Sequence, residues 1–107
     1  MERIYDMIVI GGGPAGLSAG IYGGRAKLDV LVIEKENKGG QISLTSEVVN
    51  YPGIKNTDGK KLTQEMAKQA KSFGAEIKTD EVVDIDLSGD IKKIITKNNT
   101  YEALTVI

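Results

Sequence analysis

The chain has 107 residues, 40% of them apolar and 27% charged, with 14 basic against 15 acidic side chains, which reads as one soluble, globular domain or part of one. A net charge of −1 gives no electrostatic footprint for nucleic acid or an anionic membrane. No apolar run approaches the roughly 18 residues of a membrane span, and MERIYDMIVI lacks the basic region and apolar core of a signal peptide, so the expected location is the cytoplasm.

Tyr5 to Ile10 is a short apolar run that ends at a glycine cluster and predicts a buried strand. Pro14 suits the first turn of a helix, where its missing N–H is not needed, and that helix is expected to run to about Ala26. Val30 to Ile33 predicts a second buried strand, closed by Glu34, and Lys35 to Val49 reads as irregular. Leu62, Met66, Ala70 and Phe73 recur at helical spacing and predict a second helix over about 60–73, with Asp58 as its cap and Gly74 as its left-handed C-terminal residue. Met66 and Phe73 are expected in the core, and the lysines between Lys60 and Lys71 on a solvated face. Glu76 to Lys78 reads as a third short strand. Val83, Ile85 and Leu87 alternate with charged residues, as in a half-buried strand. Turns at Ser88-Gly89-Asp90 and at Asn98-Asn99 separate it from strands over 91–97 and 100–107. The expected class is α/β: a Rossmann-like βαβ unit with a parallel sheet, followed by an antiparallel β-meander.

There is no cysteine and no histidine. A disulfide framework, a zinc–thiolate site and a thiol nucleophile are excluded from these residues, as is the commonest general base. Any catalysis has to come from a bound cofactor or from sequence outside this chain.

The chemistry concentrates at Gly11-x-Gly13-Pro14-Ala15-Gly16. Strand, GxGxxG, helix and a second strand ending in an acid is the dinucleotide-binding pattern in its proper context. Gly11 permits the tight turn off the strand, Gly13 lets the backbone approach a pyrophosphate, and Gly16 lets helix and strand pack closely. The helix N-terminus offers unpaired N–H groups and partial positive charge to the phosphates. Glu34 stands 18 residues beyond Gly16, near the roughly 20 expected of a carboxylate that binds the ribose hydroxyls. It favours an unphosphorylated adenosine ribose, as in FAD or NAD, over NADP. Gly20 extends the close-packed stripe of the helix. Gly23 and Gly24 read either as further packing positions or as tolerated glycines.

The glycine pattern does not separate FAD from NAD. GGQIS at 39–43 and TSEVVNYPGI at 45–54, together with YDMIVIGGGPAG and IYGGRA, resemble the flavin domain of low-molecular-weight thioredoxin reductases along essentially the whole chain. The resemblance implies that a Gly-Gly-Gln turn and an Asn before an aromatic-Pro-Gly wrap the flavin, here Gly40, Gln41 and Asn50, with Tyr51-Pro52-Gly53 following. It also implies cofactor contacts at Lys35, beside Glu34, and at Val83, since adenine would lie near residues 81–83. Amide side chains carry both donors and acceptors, which suits a ribityl chain or flavin edge, although either amide alone could make ordinary loop hydrogen bonds. Arg25 matches the family's helix end, and equally complements a helix dipole.

By resemblance the activity is FAD-dependent thioredoxin-disulfide reduction. Electrons would pass from NADPH through FAD to a protein dithiol and on to thioredoxin, in an expected homodimer. The family's Cys-x-x-Cys and NADPH domain are absent here, as is its Ala-Thr-Gly turn. The expectation is therefore the first portion, residues 1–107, of a split flavin domain, inactive alone and with weak FAD binding. A related ferredoxin–NADP or ferredoxin-linked flavin reductase, and a non-catalytic nucleotide-binding module, are the alternatives.

Overall fold

The computed structural model of the chain describes residues 3–35, 52–53 and 57–107. The elements follow in the order β1 (Ile4–Ile10), α1 (Pro14–Arg25), β2 (Val30–Glu34), α2 (Gly59–Ser72), β3 (Glu76–Thr79), β4 (Val82–Asp86), β5 (Lys92–Thr96) and β6 (Thr100–Val106). The strands form one sheet in the order β3-β2-β1-β6-β5-β4. β1 lies parallel to β2, with Met7 opposite Val30 and Ile10 opposite Ile33. It also lies parallel to β6, and β2 lies parallel to β3. β4, β5 and β6 are antiparallel neighbours. The α/β class with a βαβ unit and a meander is as expected, and the two parts are continuous because β6 runs beside β1. No helix among the described residues is long and apolar enough to cross a membrane.

β2 is buried on both faces, which is why VLVIE shows no alternation. Val30 and Val32 pack with Met7, Val9 and Ala70, whereas Leu31 and Ile33 pack with Tyr5, Ile8, Ile94 and Ala103 on the opposite side. A third cluster, Leu17 with Leu62, Met66 and Ala67, joins the two helices. At the N-terminal ends of the strands Arg3 ties three segments together. Its guanidinium pairs with Asp29 at 2.5 Å and with Glu76, and lies 4.4 Å from the centre of the Tyr5 ring. Burial, the largest cause, and the nearby Glu76 push the Tyr5 phenol up to about 12.

Both glycines left open by the sequence are packing positions. A Cβ on Gly23 would stand 2.6 Å from Met7 Cε and 2.8 Å from Val30 Cγ2, and one on Gly24 would stand 2.9 Å from Phe73 Cβ and from its carbonyl oxygen. Gly23 thus lets α1 settle onto β1 and β2, and Gly24 admits the end of α2.

α2 begins at Asp58, whose Oδ1 accepts the Lys61 N–H at 2.7 Å, the expected cap. Leu62, Met66 and Ala70 are buried as expected, but Phe73 is 42% exposed, a correction to its core placement. Phe73 is the C-cap of α2. Its backbone meets Gly24 while its ring lies 5.9 Å from the Arg25 guanidinium.

A second correction concerns β4. The register shifts between Val82 and Asp84, so Val82 packs against the core while Val83 is 57% exposed. One extra residue in a strand reverses the facing of its neighbours, and strict alternation from Val83 therefore misplaces the inward side. Ile85 still lies opposite the buried Ile94, but at the sheet edge it remains partly open.

Both helices end in the same hydrogen-bonded motif. At α2, Gly74 (φ +98°) donates to the Lys71 carbonyl and Ala75 to that of Ala70. At α1 the left-handed position is held by Lys27, φ +62°, which donates to Gly24 while Leu28 donates to Gly23. A side chain in that conformation costs roughly 1–2 kcal/mol, and glycine's extra chain entropy roughly 0.5–1 kcal/mol. Lys27→Gly is expected to stabilise by about 0.5 kcal/mol, read as a higher urea midpoint at unchanged slope. A lower midpoint would refute this.

Candidate functional site

β1 ends at Ile10 and the chain turns at once. The Gly11 N–H donates to the Ile33 carbonyl at 2.8 Å, and Gly11 takes φ +111° with open space where a Cβ would point. The requirement for glycine there is conformational. Gly13 is the N-cap of α1, in an extended conformation with its carbonyl accepting the Leu17 N–H at 2.9 Å. Pro14 and Ala15 open the helix. No side chain among the described residues caps it and its first turn holds no acidic residue, so its first N–H groups stay available to an anion at the positive end of the helix dipole. A Cβ on Gly16 would stand 1.8 Å from the Gly11 carbonyl oxygen and 2.9 Å from its carbon. Only a hydrogen at that position lets the helix start so close to the turn.

Glu34, at the end of β2, lies across this loop. Its Oε2 accepts the Gly12 N–H and its Oε1 accepts the Lys35 N–H at 2.9 Å. A Cβ on Gly12 would meet Glu34 Oε2 at 2.7 Å and Glu34 Cβ at 3.0 Å, so Gly12 makes the space in which the carboxylate rests. An ionised carboxylate accepts about four hydrogen bonds; two positions are oriented by backbone donors and the others can take the paired hydroxyls of a ribose. Uncapped helix amides, a glycine turn without side chains and an acceptor-only group beside them fit a dinucleotide: diphosphate at the helix start, sugar at Glu34.

Behind Glu34 lies a polar cluster that sequence reasoning missed. The Asp80 N–H donates to the Glu34 carbonyl at 2.8 Å. The Asp80 side chain, 8% exposed, accepts from Thr96 Oγ1 at 2.7 Å, from Glu81 N at 2.8 Å and from Asn98 Nδ2 at 3.1 Å. The Thr96 hydrogen bond, the largest cause, together with the Glu81 and Asn98 donors, holds this carboxyl below its usual range. Next to it Glu81 pairs with Lys35 at 3.2 Å and with Lys97 at 2.8 Å, and the two lysines, Lys97 foremost, lower its pKa. The signal in the sequence was two consecutive acidic residues between two strands, which without a partner read as an ordinary loop.

Of the other expected site residues, Lys35 follows Glu34 directly and is drawn to Glu81. Val83 lies in β4 with its side chain exposed at the register shift. Gly40, Gln41 and Asn50 lie outside the described residues, and of the following Tyr-Pro-Gly only Pro52 and Gly53, an exposed turn, lies within them. Arg25 sits in the last turn of α1, at the end away from the glycine loop. A separate cavity of about 460 Å³, lined by Arg3, Tyr5, Lys78, Lys93, Tyr101 and their neighbours, opens by the beginnings of β1 and β6. It shares no residue with the loop, and nothing in the sequence pointed to it.

The profile of the pyridine nucleotide-disulphide oxidoreductase family matches residues 5–107. The chain belongs to that family. As a pyridine nucleotide-disulphide oxidoreductase chain it is 48% identical over 108 residues to the thioredoxin reductase of Peptoclostridium acidaminophilum, a match that covers 100% of this chain and 34% of that protein. The crystal structure of thioredoxin reductase from Streptococcus pyogenes superimposes with a TM-score of 0.94 at 37% identity, over 99% of this chain and 35% of that one. A ferredoxin-flavin thioredoxin reductase from Clostridium acetobutylicum gives 0.86 at 30% identity, over 97% of this chain and 36% of that one. The chain thus spans about a third of the length of the curated relatives it matches.

Proposed function

We propose that this chain is the N-terminal portion of the FAD-binding domain of a cytoplasmic thioredoxin-disulfide reductase. In this reading the glycine loop and Glu34 hold the adenosine diphosphate half of FAD, and Gly40, Gln41 and Asn50 wrap its flavin half. The observation that carries the reading is the uncapped start of α1 set against the Glu34 carboxylate. The 48% identity to a thioredoxin reductase supports the reductase assignment.

FAD, when bound, supplies the two-electron carrier that a chain without cysteine or histidine does not. The protein's part is to orient it. Main-chain amides of the loop balance the diphosphate charge, Glu34 fixes the sugar, and Asp80 holds the strand end that carries Glu34. Over a full cycle NADPH and a proton reduce one disulfide of thioredoxin to a dithiol, giving NADP⁺. The nicotinamide site and the relay dithiol belong in this reading to other parts of the same polypeptide.

The intact protein is expected to purify yellow, with flavin absorption bands, and to reduce a thioredoxin disulfide when given NADPH. A colourless protein that binds NAD at this loop would overturn the reading. The likeness to the Clostridium acetobutylicum enzyme supports a second version with reduced ferredoxin as electron donor. Activity with ferredoxin and none with NADPH selects it.

A further inference from the structure

Glu81 occupies an unusual position, between the only residue that follows Glu34 in the described segment and the start of the β5–β6 turn. Its two carboxylate oxygens are divided between two cations: Oε1 to Lys35 Nζ at 3.2 Å and Oε2 to Lys97 Nζ at 2.8 Å. Its carbonyl also accepts the Lys97 N–H at 3.0 Å. Glu81 is itself held by its neighbour, because the Asp80 carboxylate accepts the Glu81 N–H and the Asp80 N–H is fixed on the Glu34 carbonyl. The two lysines are more than half exposed and Glu81 is the less exposed partner. Exposed ion pairs of this kind add little to stability, so their consequence lies in where they place charge. Lys35 is directly bonded to Glu34 in sequence, yet its ammonium rests on Glu81 while only its backbone N–H meets the Glu34 carboxylate.

We infer that Glu81 is a specificity-determining positioning residue: by holding Lys35 and Lys97 it keeps these two ammonium groups off the Glu34 carboxylate, and so makes the adenosine site reject a 2′-phosphate while accepting a 2′-hydroxyl. This rests on the dinucleotide reading of the loop. Specificity here comes from repulsion, and repulsion works only while no cation is available to answer the extra phosphate. Removing the Glu81 charge releases two ammonium groups, one of them on the residue that follows Glu34, and lysine is a ready phosphate partner.

The test uses the intact protein stripped of flavin. ADP-ribose and 2′-phospho-ADP-ribose are each titrated as competitors of FAD rebinding, so that occupancy of a separate NADPH site goes unread. In the unmodified protein ADP-ribose competes more strongly. Glu81→Gln is expected to narrow the ratio of the two affinities about tenfold, with ADP-ribose itself shifting less than about threefold. Lys35→Met is expected to restore most of the ratio in the Glu81→Gln background. An unchanged ratio in Glu81→Gln, or equal weakening of both competitors, overturns the inference while leaving the dinucleotide reading in place. Failure of the unmodified apoprotein to take up FAD or ADP-ribose overturns both.

Discussion

Gly16→Ala is expected to cost at least about 3 kcal/mol and to abolish retention of the flavin. Ordinary overpacking of a core costs roughly 1–3 kcal/mol because side chains can shift rotamer. Here the new methyl would sit 1.8 Å from a backbone carbonyl oxygen and 3.3 Å from Val9 Cγ1, and the backbone has no rotamer to change. Either α1 lifts from the sheet or the Gly11 turn opens, and both move the helix amides from the diphosphate position. The check is the thermal midpoint of the apoprotein together with the flavin content of the purified protein. Near-normal stability with full flavin content would show that the helix can move outward at small cost. Gly12→Ala provides the contrast. Its methyl would meet side-chain atoms of Glu34 and no backbone, with the carboxylate nearest at 2.7 Å, so binding should suffer more than folding.

Glu34→Ala is expected to weaken FAD binding by about ten- to a hundredfold with little change in stability, since hydrogen bonds to a charged group are worth roughly 1.5–3 kcal/mol. The side chain is only half-buried and its partners among the described residues are two backbone N–H groups, which water can satisfy. Glu34→Gln, which keeps an acceptor oxygen and loses the charge, should fall between. Titration of apoprotein with FAD, followed by flavin fluorescence, reads both. An affinity unchanged in Glu34→Ala would show that the sugar is held elsewhere.

Features that are local in sequence were legible in it. The glycine loop, Pro14, the Asp58 cap and Gly74 each depend on residues within a turn of one another, and the spacing of Glu34 depends only on one helix and one strand. What the sequence did not disclose is long-range or turns on a single residue. The Asp80–Thr96–Asn98 cluster joins residues 16 and 18 positions apart through a pairing of strands that no local pattern encodes. The shift at Val83 is one residue in size, and alternation cannot reveal it because Val82 and Val83 are equally apolar. Phe73 fitted the helical stripe, but the helix ends one residue before it. Gly23 and Gly24 became intelligible only once Met7, Val30 and Phe73 stood beside them. The Gly-Gly-Gln and Asn-Tyr-Pro-Gly segments, which carried the choice of flavin over nicotinamide, lie mostly outside the described residues, so that choice rests on likeness to relatives.

The thinness of α1 makes it dependent on its neighbours. Four of its twelve residues are glycine, each costing roughly 1 kcal/mol against alanine in a helix interior, and a segment this short is marginal in water even with good helix formers. Cut out as a peptide it is a coil. It becomes helical by docking on the surface of β1 and β2 that Gly20 and Gly23 touch. Substitutions that make this segment a better helix by itself would hasten its winding and at the same time bar it from its seat.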